Sequence, residues 1–461
     1  MAKFSIRDSI LEYLIFLFFI NCSLYFYFQI KFDELNIKPK NKIAFTPCSP
    51  SIQNLTIDDG KSLKIGIISD FQLTKTTPRN INNKVFYAFR NNLKHALKVL
   101  KKNKVNLIII AGDITNYGSE SDYECFKEIL YSVYKKRSLP KILVVMGNHD
   151  YVSMDDKAQK FFYEYINENP YSHYIINNFH FILWSSANYI SSENEVLNSN
   201  WAEQQLEIAK KNLYKEGDPI FVISHVPPKG TVYGSEGIWG NQKVYDVLKN
   251  YPNVISISGH SHYSLINTRS IWQGEFTAIN TQSISFVDLD RYYDNYQSVI
   301  SNSFQNCSMG LIADLNRTNI VFNRIFFTTE EILSEKWIIN FPIKKNDFIY
   351  TTDLLEKKNK PPYFREGDKL KVEKNKNTIK FNAAIHKKYI HYYLVVLINK
   401  KNNGRYELKY YTDYYKHPKY WKKEIILNLP INIKSGNYFI KIYAVDSFDQ
   451  KSDPLVEELD L

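Results

Sequence analysis

The sequence predicts an α/β domain followed by an all-β C-terminal domain. Between residues 61 and 340, short and solidly apolar segments alternate with segments that carry apolar residues at helical spacing. Such apolar runs are typical of strands covered on both faces, and their alternation with helices indicates an α/β architecture. Beyond residue 340, short segments of alternating hydrophobicity are separated by turn residues, which is typical of a β-sandwich.

The elements follow one another in a regular order. In the first domain we predict strands at residues 63–69, 105–111, 141–146, 179–185, 220–224 and 254–258. We predict helices at residues 85–103, 122–133 and 201–213, where apolar residues recur at helical spacing. In the second domain the predicted strands include residues 392–398, 406–411 and 438–445. The predicted organisation is an N-terminal signal or anchor segment at 1–30, a tether at 31–60, the α/β domain at 61–340 and the β-sandwich at 341–461.

The N-terminal segment carries a targeting signal. Lys3 and Arg7 precede an apolar stretch at residues 13–30, whose length is close to one bilayer span. Residues 19–22 resemble a lipoprotein cleavage box with Cys22 as the lipidated residue, and an uncleaved anchor fits the same stretch. The lysines that follow would hold that side in the cytoplasm by the positive-inside rule. We nevertheless expect a membrane-attached, extracytoplasmic protein, because a short N-terminal tail ending in one apolar run usually starts secretion.

Composition excludes several classes of protein. With 44% hydrophobic and 23% charged residues, the chain is too apolar to be disordered. The net charge of +11 comes from lysines spread along the chain without an arginine-rich arm, so we predict no nucleic-acid binding. None of the four cysteines forms a C-x-x-C pair, so a cysteine zinc site is not expected.

Five polar clusters each follow a predicted strand directly. They lie at residues 69–72, 112–118, 147–150, 225 and 259–262. Singly, such residues are equally typical of helix caps, turns or hydrogen-bonded histidines. Together they place three Asp, two Asn, one Gln and four His at the carboxyl ends of strands, where open α/β sheets bind ligands. Burying these groups together is costly without a partner, and their oxygen and imidazole donors suit Mn, Fe or Zn.

The order of these clusters resembles the calcineurin-like metallophosphoesterase superfamily, whose pattern is D-x-H, GD, GNH[DE], H and GHxH. The resemblance covers roughly residues 62–330 and implies a four-layer α/β/β/α sandwich that hydrolyses phosphoesters. One residue departs from the pattern, because Gln72 occupies the position where most members have His. A Gln carbonyl oxygen can still bind a hard metal, so the departure bears on metal identity more than on catalysis.

The resemblance also implies a role for each matching residue. A first divalent metal would be bound by Asp70, Gln72, Asp113 and His262. A second would be bound by Asp113, Asn148, His225 and His260, so that Asp113 bridges the two. Hydroxide activated by both metals would attack the phosphorus of a small phosphate ester, with phosphodiesters favoured. His149 would protonate the leaving oxygen, and Asp150 would orient the His149 ring.

Similarity within the superfamily narrows the expected activity. Four segments resemble the cyclic-nucleotide phosphodiesterase-like bacterial branch of the superfamily, namely residues 113–130, 201–206, 225–228 and 251–286. Two alternatives stay open: a nucleotide pyrophosphatase or nuclease that uses the same site, and a catalytically inactive surface-binding protein. The loop after His225 contains residues that either shape the substrate pocket or pack within the loop, namely Pro227, Pro228, Tyr233 and Trp239.

The C-terminal domain has its own resemblance. Residues 436–447 resemble the last strand of immunoglobulin-like or fibronectin-like domains. This resemblance implies a module that spaces the enzyme or binds a protein or surface partner, although a fold does not identify the partner. The aromatic residues clustered between positions 410 and 421 favour packing over ligand binding, because a sandwich core needs large buried side chains.

Overall fold

The computed structural model describes residues 52–75, 83–152, 158–185, 192–289, 297–299, 306–373, 378–430, 433 and 435–460. The predicted signal or anchor segment, with Cys22, and the tether before residue 52 lie outside these residues. No helix within the described ranges is long and apolar enough to cross a bilayer.

The α/β region, residues 52–340, contains all the strands and helices predicted for it. Its strands are β1 Gln53–Leu55, β2 Leu63–Ile68, β3 Leu107–Ala111, β4 Lys141–Val145, β5 Tyr171–Ile176, β6 Phe179–Trp184, β7 Ile220–Ser224, β8 Val254–Ser258, β9 Ile271–Gln273, β10 Thr277–Asn280, β11 Gln297–Val299, β12 Met309–Leu315, β13 Asn319–Phe326, β14 Glu331–Ile332 and β15 Trp337–Asn340. Its helices are α1 Asn83–Lys102, α2 Glu120–Val133, α3 Ala158–Ile166, α4 Ser192–Lys211 and α5 Gln242–Leu248. Helix α4 begins at Ser192 rather than at residue 201, and β1 lies inside the predicted tether.

Two mixed sheets form the α/β region. Within the described residues, one seven-stranded sheet has the order β1-β5-β6-β7-β8-β10-β9. The other has the order β14-β13-β12-β2-β3-β4, with β15 beside β13. Strands β2, β3 and β4 run parallel, as do β6, β7 and β8, so their carboxyl ends lie at common edges.

Each central strand is buried on both faces, as its apolar sequence predicts. Ile65 and Ile67 of β2 share a core with Phe181 and Phe221 of the facing sheet. On the opposite face, residues such as Ile108 pack with residues of α1 and α2 in a separate core. Residues of α4 and α5 pack in the same way on the outer face of the other sheet. The two sheets therefore face each other and helices cover their outer faces.

The C-terminal β region, residues 341–460, is β-rich, as the sequence predicts. It begins with helix α6 Thr352–Lys358, and its strands are β16 Lys371–Glu373, β17 Thr378–Asn382, β18 Tyr392–Asn399, β19 Arg405–Tyr411, β20 Glu424–Asn428, β21 Asn437–Val445 and β22 Leu455–Asp460. In the described residues these strands form one sheet of order β16-β17-β20 and one of order β11-β19-β18-β21-β22. Phe381, Tyr393 and Ile440 belong to one core shared by the two sheets. The immunoglobulin-like or fibronectin-like assignment stays a prediction.

The two regions share a core. The second face of β18, carrying Tyr392, Leu394 and Val396, belongs to the same hydrophobic cluster as Phe322 and Trp337 of the α/β region. Strand β11 of the α/β region also pairs in parallel with β19 of the C-terminal sheet. The buried tyrosines of the predicted aromatic cluster, such as Tyr414 and Tyr415, pack into this shared core, consistent with a packing role.

Candidate metal centre

The predicted ligands follow strands of both sheets. Asp70 follows β2, Asp113 follows β3 and Asn148 follows β4, all at one edge of the second sheet. His225 follows β7, and the segment with His260 and His262 follows β8 of the facing sheet. Because parallel neighbours end at a common edge, the five chain segments converge, although they are far apart in sequence.

Asp113, Asn148 and His225 form one half of the site. The His225 Nε2 lies 3.3 Å from Asp113 Oδ2 and 3.1 Å from Asn148 Oδ1. The His225 Nδ1 is 2.8 Å from the carbonyl oxygen of Ala111, which can only accept a hydrogen bond. The Nδ1–H therefore donates to the backbone, which fixes the ring and directs Nε2 towards the two oxygens.

Asp70 organises the other half. The His262 Nε2 lies 3.1 Å from Asp70 Oδ1, and the backbone N–H of His260 donates to both Asp70 oxygens at 3.2 Å. The Ser69 hydroxyl also donates to the Asp70 carboxylate. One ligand atom each from Asp70, Asp113 and His225 can be chosen so that all three lie within 4.8 Å of one another. The two halves therefore meet in a single buried cluster.

Two glycines leave room for the carboxylates. A Cβ at Gly147 would lie 2.1 Å from Asp113 Oδ1, and one at Gly259 would lie 2.4 Å from Asp70 Oδ2. Real Cβ contacts essentially never fall below 3.0 Å. The glycines are therefore required by the close approach of backbone and carboxylate, rather than only by a turn.

Burial and mutual charge set the protonation of these groups. Burial raises the pKa of Asp113, but the nearby histidines, His225 first among them, together outweigh burial and hold that pKa well below its usual range. Burial lowers the pKa of His225, yet the charge and hydrogen bond of Asp113, the charge of Asp70 and the bond to Ala111 together raise it to about 9. Burial, followed by the charge of His225, holds the pKa of His260 well below its ordinary value. The opposite charges of Asp113 and His225 thus favour the charged form of each other.

The predicted catalytic pair, His149 and Asp150, lies beside the cluster. The backbone N–H of His149 donates to Asp113 Oδ1 at 2.9 Å, and its ring Nδ1 lies 3.1 Å from the carbonyl oxygen of Asn116. Asp150 instead accepts hydrogen bonds from the N–H groups of Gly147 and Thr115 and from the Thr115 hydroxyl. These hydrogen bonds of Asp150 connect the two segments that follow β3 and β4, and the Asn116 carbonyl contacts the His149 ring. The role of Asp150 in orienting that ring stays a prediction.

Aromatic side chains lie beside the histidines of the cluster. The Trp239 ring centroid is 5.3 Å from that of His260, and the Phe286 ring centroid is 4.3 Å from that of His262. Both aromatic side chains are half-buried. The sequence marked Trp239 as either a pocket or a packing residue, but it did not single out Phe286 or the Asn116 carbonyl. A backbone carbonyl has no side-chain signature, and Phe286 is one of many aromatic residues in this chain.

Residues 63–264 match the family model described as calcineurin-like phosphoesterase. The chain carries a calcineurin-like phosphoesterase domain. This match and the curated relatives support a hydrolase that acts on phosphoesters. Members of the family bind divalent metals, and the Asp70, Asp113 and His225 cluster is a possible site for them.

The phosphoesterase domain is similar to two kinds of curated protein. A probable cyclic nucleotide phosphodiesterase of Ruthia magnifica subsp. Calyptogena magnifica is 25% identical over 224 residues, covering 46% of this chain and 88% of that protein. A probable glycerophosphodiester phosphodiesterase GpdQ of Arcobacter nitrofigilis is 28% identical over 176 residues, covering 35% of this chain and 58% of that protein.

Solved structures similar to the chain include two with the following alignments. GAP50, described as the anchor in the inner membrane complex of Plasmodium, aligns with a TM-score of 0.44 and 17% identity, covering 62% of this chain and 92% of that one. A dimetal phosphatase from Danio rerio aligns with a TM-score of 0.41 and 14% identity, covering 60% of this chain and 99% of that one.

The residues present in the phosphoesterase domain fit divalent cations. Buried carboxylate, amide and imidazole donors converge, a set that suits Mn, Fe or Zn. The Nδ1 atom of His262 is buried and has no hydrogen-bond partner in the part of the chain that the structure describes. A buried donor atom without a partner is uncommon unless a ligand or water completes it.

Proposed function

We propose that this chain hydrolyses phosphodiesters with the help of two divalent cations. The observation that carries the proposal is the meeting of Asp70, Asp113 and His225 within 4.8 Å inside a phosphoesterase domain. Bound divalent cations supply Lewis acidity, which polarises a phosphoryl oxygen and lowers the pKa of a nearby water. The protein residues hold the cations, fix the phosphate and deliver a proton.

The contacts support a division of the ligands into two sets. His262 is 3.1 Å from Asp70, so these two residues would bind the first cation together with Gln72 and Asp113. His225 is near both Asp113 and Asn148, so these three would bind the second cation together with His260. Asp113 belongs to both sets, because a carboxylate has two oxygens and can bridge two cations.

In this proposal His149 acts as the general acid. The backbone N–H of His149 donates to the carboxylate of Asp113, the proposed bridging ligand. This hydrogen bond keeps His149 next to the proposed metal centre. Its Nδ1 faces the Asn116 carbonyl, which must accept, so Nδ1 carries a proton in the neutral ring as well as in the charged one. When the ring is charged, Nε2–H is the proton that the leaving oxygen would take.

Two lines of support favour diesters over monoesters. The curated relatives are described as phosphodiesterases for cyclic nucleotides and for glycerophosphodiesters. Trp239 and Phe286 also provide apolar surfaces beside His260 and His262, one next to each proposed cation. A diester has an organic group on each side of the phosphorus, and these surfaces would contact such groups.

The direct test is hydrolysis of bis-p-nitrophenyl phosphate with added Mn²⁺. We expect a Mn²⁺-dependent rate that falls by about a hundredfold or more in His149→Ala, the usual scale for loss of a general acid. Tyr363→Ala serves as the control, because Tyr363 is exposed and belongs to the C-terminal β region. Absence of metal-dependent hydrolysis by the wild type would refute the proposal and favour a surface-binding protein.

A substrate panel distinguishes phosphodiesterase activity from the alternative, a nucleotide pyrophosphatase activity, with which Gln72 is also compatible. Cyclic nucleotides, glycerophosphodiesters, nucleotide diphosphates and simple monoesters are compared under Mn²⁺, Zn²⁺ and Fe²⁺. We expect the highest kcat/KM for a diester. A higher value for a nucleotide diphosphate would replace the diesterase with the pyrophosphatase.

We also propose that the chain is attached to a membrane through residues 13–30 and faces away from the cytoplasm. The support is the basic start and the apolar length of this stretch. Protease treatment of intact cells tests the orientation. Digestion of the phosphoesterase domain only after lysis would refute the extracytoplasmic placement.

A further inference from the structure

The C-terminal β region contacts the loop that follows the metal ligand His225. This loop, residues 226–241, is called the His225 loop here. Its Tyr233 ring centroid lies 5.7 Å from the ring of His391, a buried residue just before β18. A second contact between the regions joins the hydroxyl groups of Thr268 and Ser447 at 2.9 Å. The C-terminal β region is therefore in direct contact with segments close to the site.

Arg269 connects the His225 loop to the C-terminal β region. Its guanidinium lies 3.9 Å from the centroid of the Tyr233 ring and 5.7 Å from that of Phe448. Its backbone carbonyl accepts a hydrogen bond from the Tyr233 N–H at 2.9 Å. A cation near the faces of two aromatic rings attracts both, so Arg269 holds one ring from each region.

The same loop reaches the metal centre at two points. The Tyr233 ring centroid is 5.0 Å from that of Tyr263, the residue that follows His262. Gly234 approaches Tyr263 so closely that a Cβ on it would lie 1.9 Å from the Tyr263 ring. Trp239, further along the loop, contacts the ring of His260. Movement of the His225 loop would therefore displace residues that touch both proposed metal-binding histidines.

We propose that the C-terminal β region positions the metal centre, and that Phe448 and Arg269 are the residues through which it acts. Phe448 contacts Arg269, Arg269 contacts Tyr233, and the His225 loop contacts Tyr263 and His260. Neither Phe448 nor Arg269 touches the reacting atoms, so both are positioning residues. The proposal goes beyond the proposed function, because the coupling is a property of the fold and holds for any substrate of the site.

Phe448→Ala in the full-length chain is the test, with Phe439→Ala as its matched control. Phe448 is half-buried in a surface turn, and Phe439 is 40% exposed on β21 of the same region. Each substitution removes one cation–π contact, with Arg269 in one case and with Lys400, 4.4 Å from the Phe439 ring, in the other. The two variants should therefore destabilise the C-terminal β region to a similar extent. A difference between them then reports the contact of Phe448 with Arg269.

Hydrogen exchange of backbone amides is the primary readout. We expect the exchange of residues 226–241 and 260–263 to rise by about three- to tenfold in Phe448→Ala, the scale of one lost cation–π contact, and to stay unchanged in Phe439→Ala. Phe448→Tyr, which keeps a ring, should restore the wild-type exchange. Unchanged exchange in Phe448→Ala, or an equal rise in Phe439→Ala, would overturn the inference.

Diester hydrolysis is the second readout. Because Trp239 lies beside the site, we expect Phe448→Ala to raise KM for bis-p-nitrophenyl phosphate about threefold or more, and Phe439→Ala to leave it unchanged. A wild-type protein that hydrolyses no diester would refute the proposed function, while the exchange comparison would still decide the positioning role.

Discussion

Gly147→Ala is the smallest change that should disable the metal centre. The added Cβ would lie 2.1 Å from Asp113 Oδ1 and 2.5 Å from the Asp113 backbone nitrogen. Since such contacts essentially never fall below 3.0 Å, the carboxylate has to move by about 1 Å. Gly147 has a φ of −106°, which any residue can adopt, so the effect would be steric rather than conformational.

The size of the effect follows from that displacement. Asp113 is fully buried and is the proposed bridge between the two cations, so a shift of about 1 Å should lower kcat/KM by roughly a hundredfold. Overpacking of a buried site should cost about 1–3 kcal/mol in the free energy of unfolding. The loss of activity would then exceed what partial unfolding explains, because the folded fraction changes little at such a cost.

Turnover of bis-p-nitrophenyl phosphate, Mn²⁺ binding by calorimetry and urea unfolding are measured on the same variant. Gly404→Ala is the matched control, because its Cβ would meet only the exposed side chain of Asn402, at 2.9 Å, which can move away. We expect the control to match the wild type in all three measurements. A Gly147→Ala protein within threefold of wild-type kcat/KM would refute the role given to the Asp113 position.

Three further predictions follow. Chelation with EDTA should lower the melting temperature and Mn²⁺ should restore it, because a ligand that binds only the folded state stabilises that state; an Asp113→Asn variant with the full Mn²⁺ response would contradict the site. Asp150→Asn should cost about 1–3 kcal/mol in the free energy of unfolding, because an amide NH₂ would face the N–H donors of Gly147 or Thr115; an unchanged urea midpoint would contradict this. Burial lowers the pKa of His173 from 6.5 to about 4, so between these values the unfolded chain binds more protons and stability falls as the pH falls. Between pH 8 and pH 5 the loss should be about 2 kcal/mol, and a His173→Gln variant with the same pH slope would count against this assignment.

Sequence could predict those strands and helices that have a clear hydrophobic pattern within their own residues. Strands such as β2 and β3 are uninterrupted apolar runs, and helices such as α1 have apolar residues at helical spacing. Strands β12 and β13 were not predicted, although β12 pairs with β2 and β13 pairs with β12 in the second sheet. Pairing between segments so far apart in sequence is set by tertiary packing, which local patterns do not record.

The shared core of the two regions was also beyond local patterns. Strand β18 was predicted from its apolar residues, but the sequence does not say that Val395 faces the core within the C-terminal β region while Val396 faces the α/β region. A strand buried on both faces has the same apolar appearance whichever partner covers each face. The predicted spacer module is therefore better described as a region that completes the packing of the phosphoesterase domain.

The site was predictable because its donors stand directly after apolar strands, but the backbone that presents them was not. Asp70, Gln72, Asp113, His260 and His262 all have φ between 46° and 69°, in the left-handed region. This conformation costs a residue other than glycine about 1–3 kcal/mol, somewhat less for Asp and His than for Gln. Glycine would relieve the strain at each position, yet each position carries a buried side chain with an oxygen or nitrogen donor. A cation bound by these donors would supply free energy that offsets the cost of this conformation. It follows that removing the cations should destabilise these strand ends before the two cores beneath them.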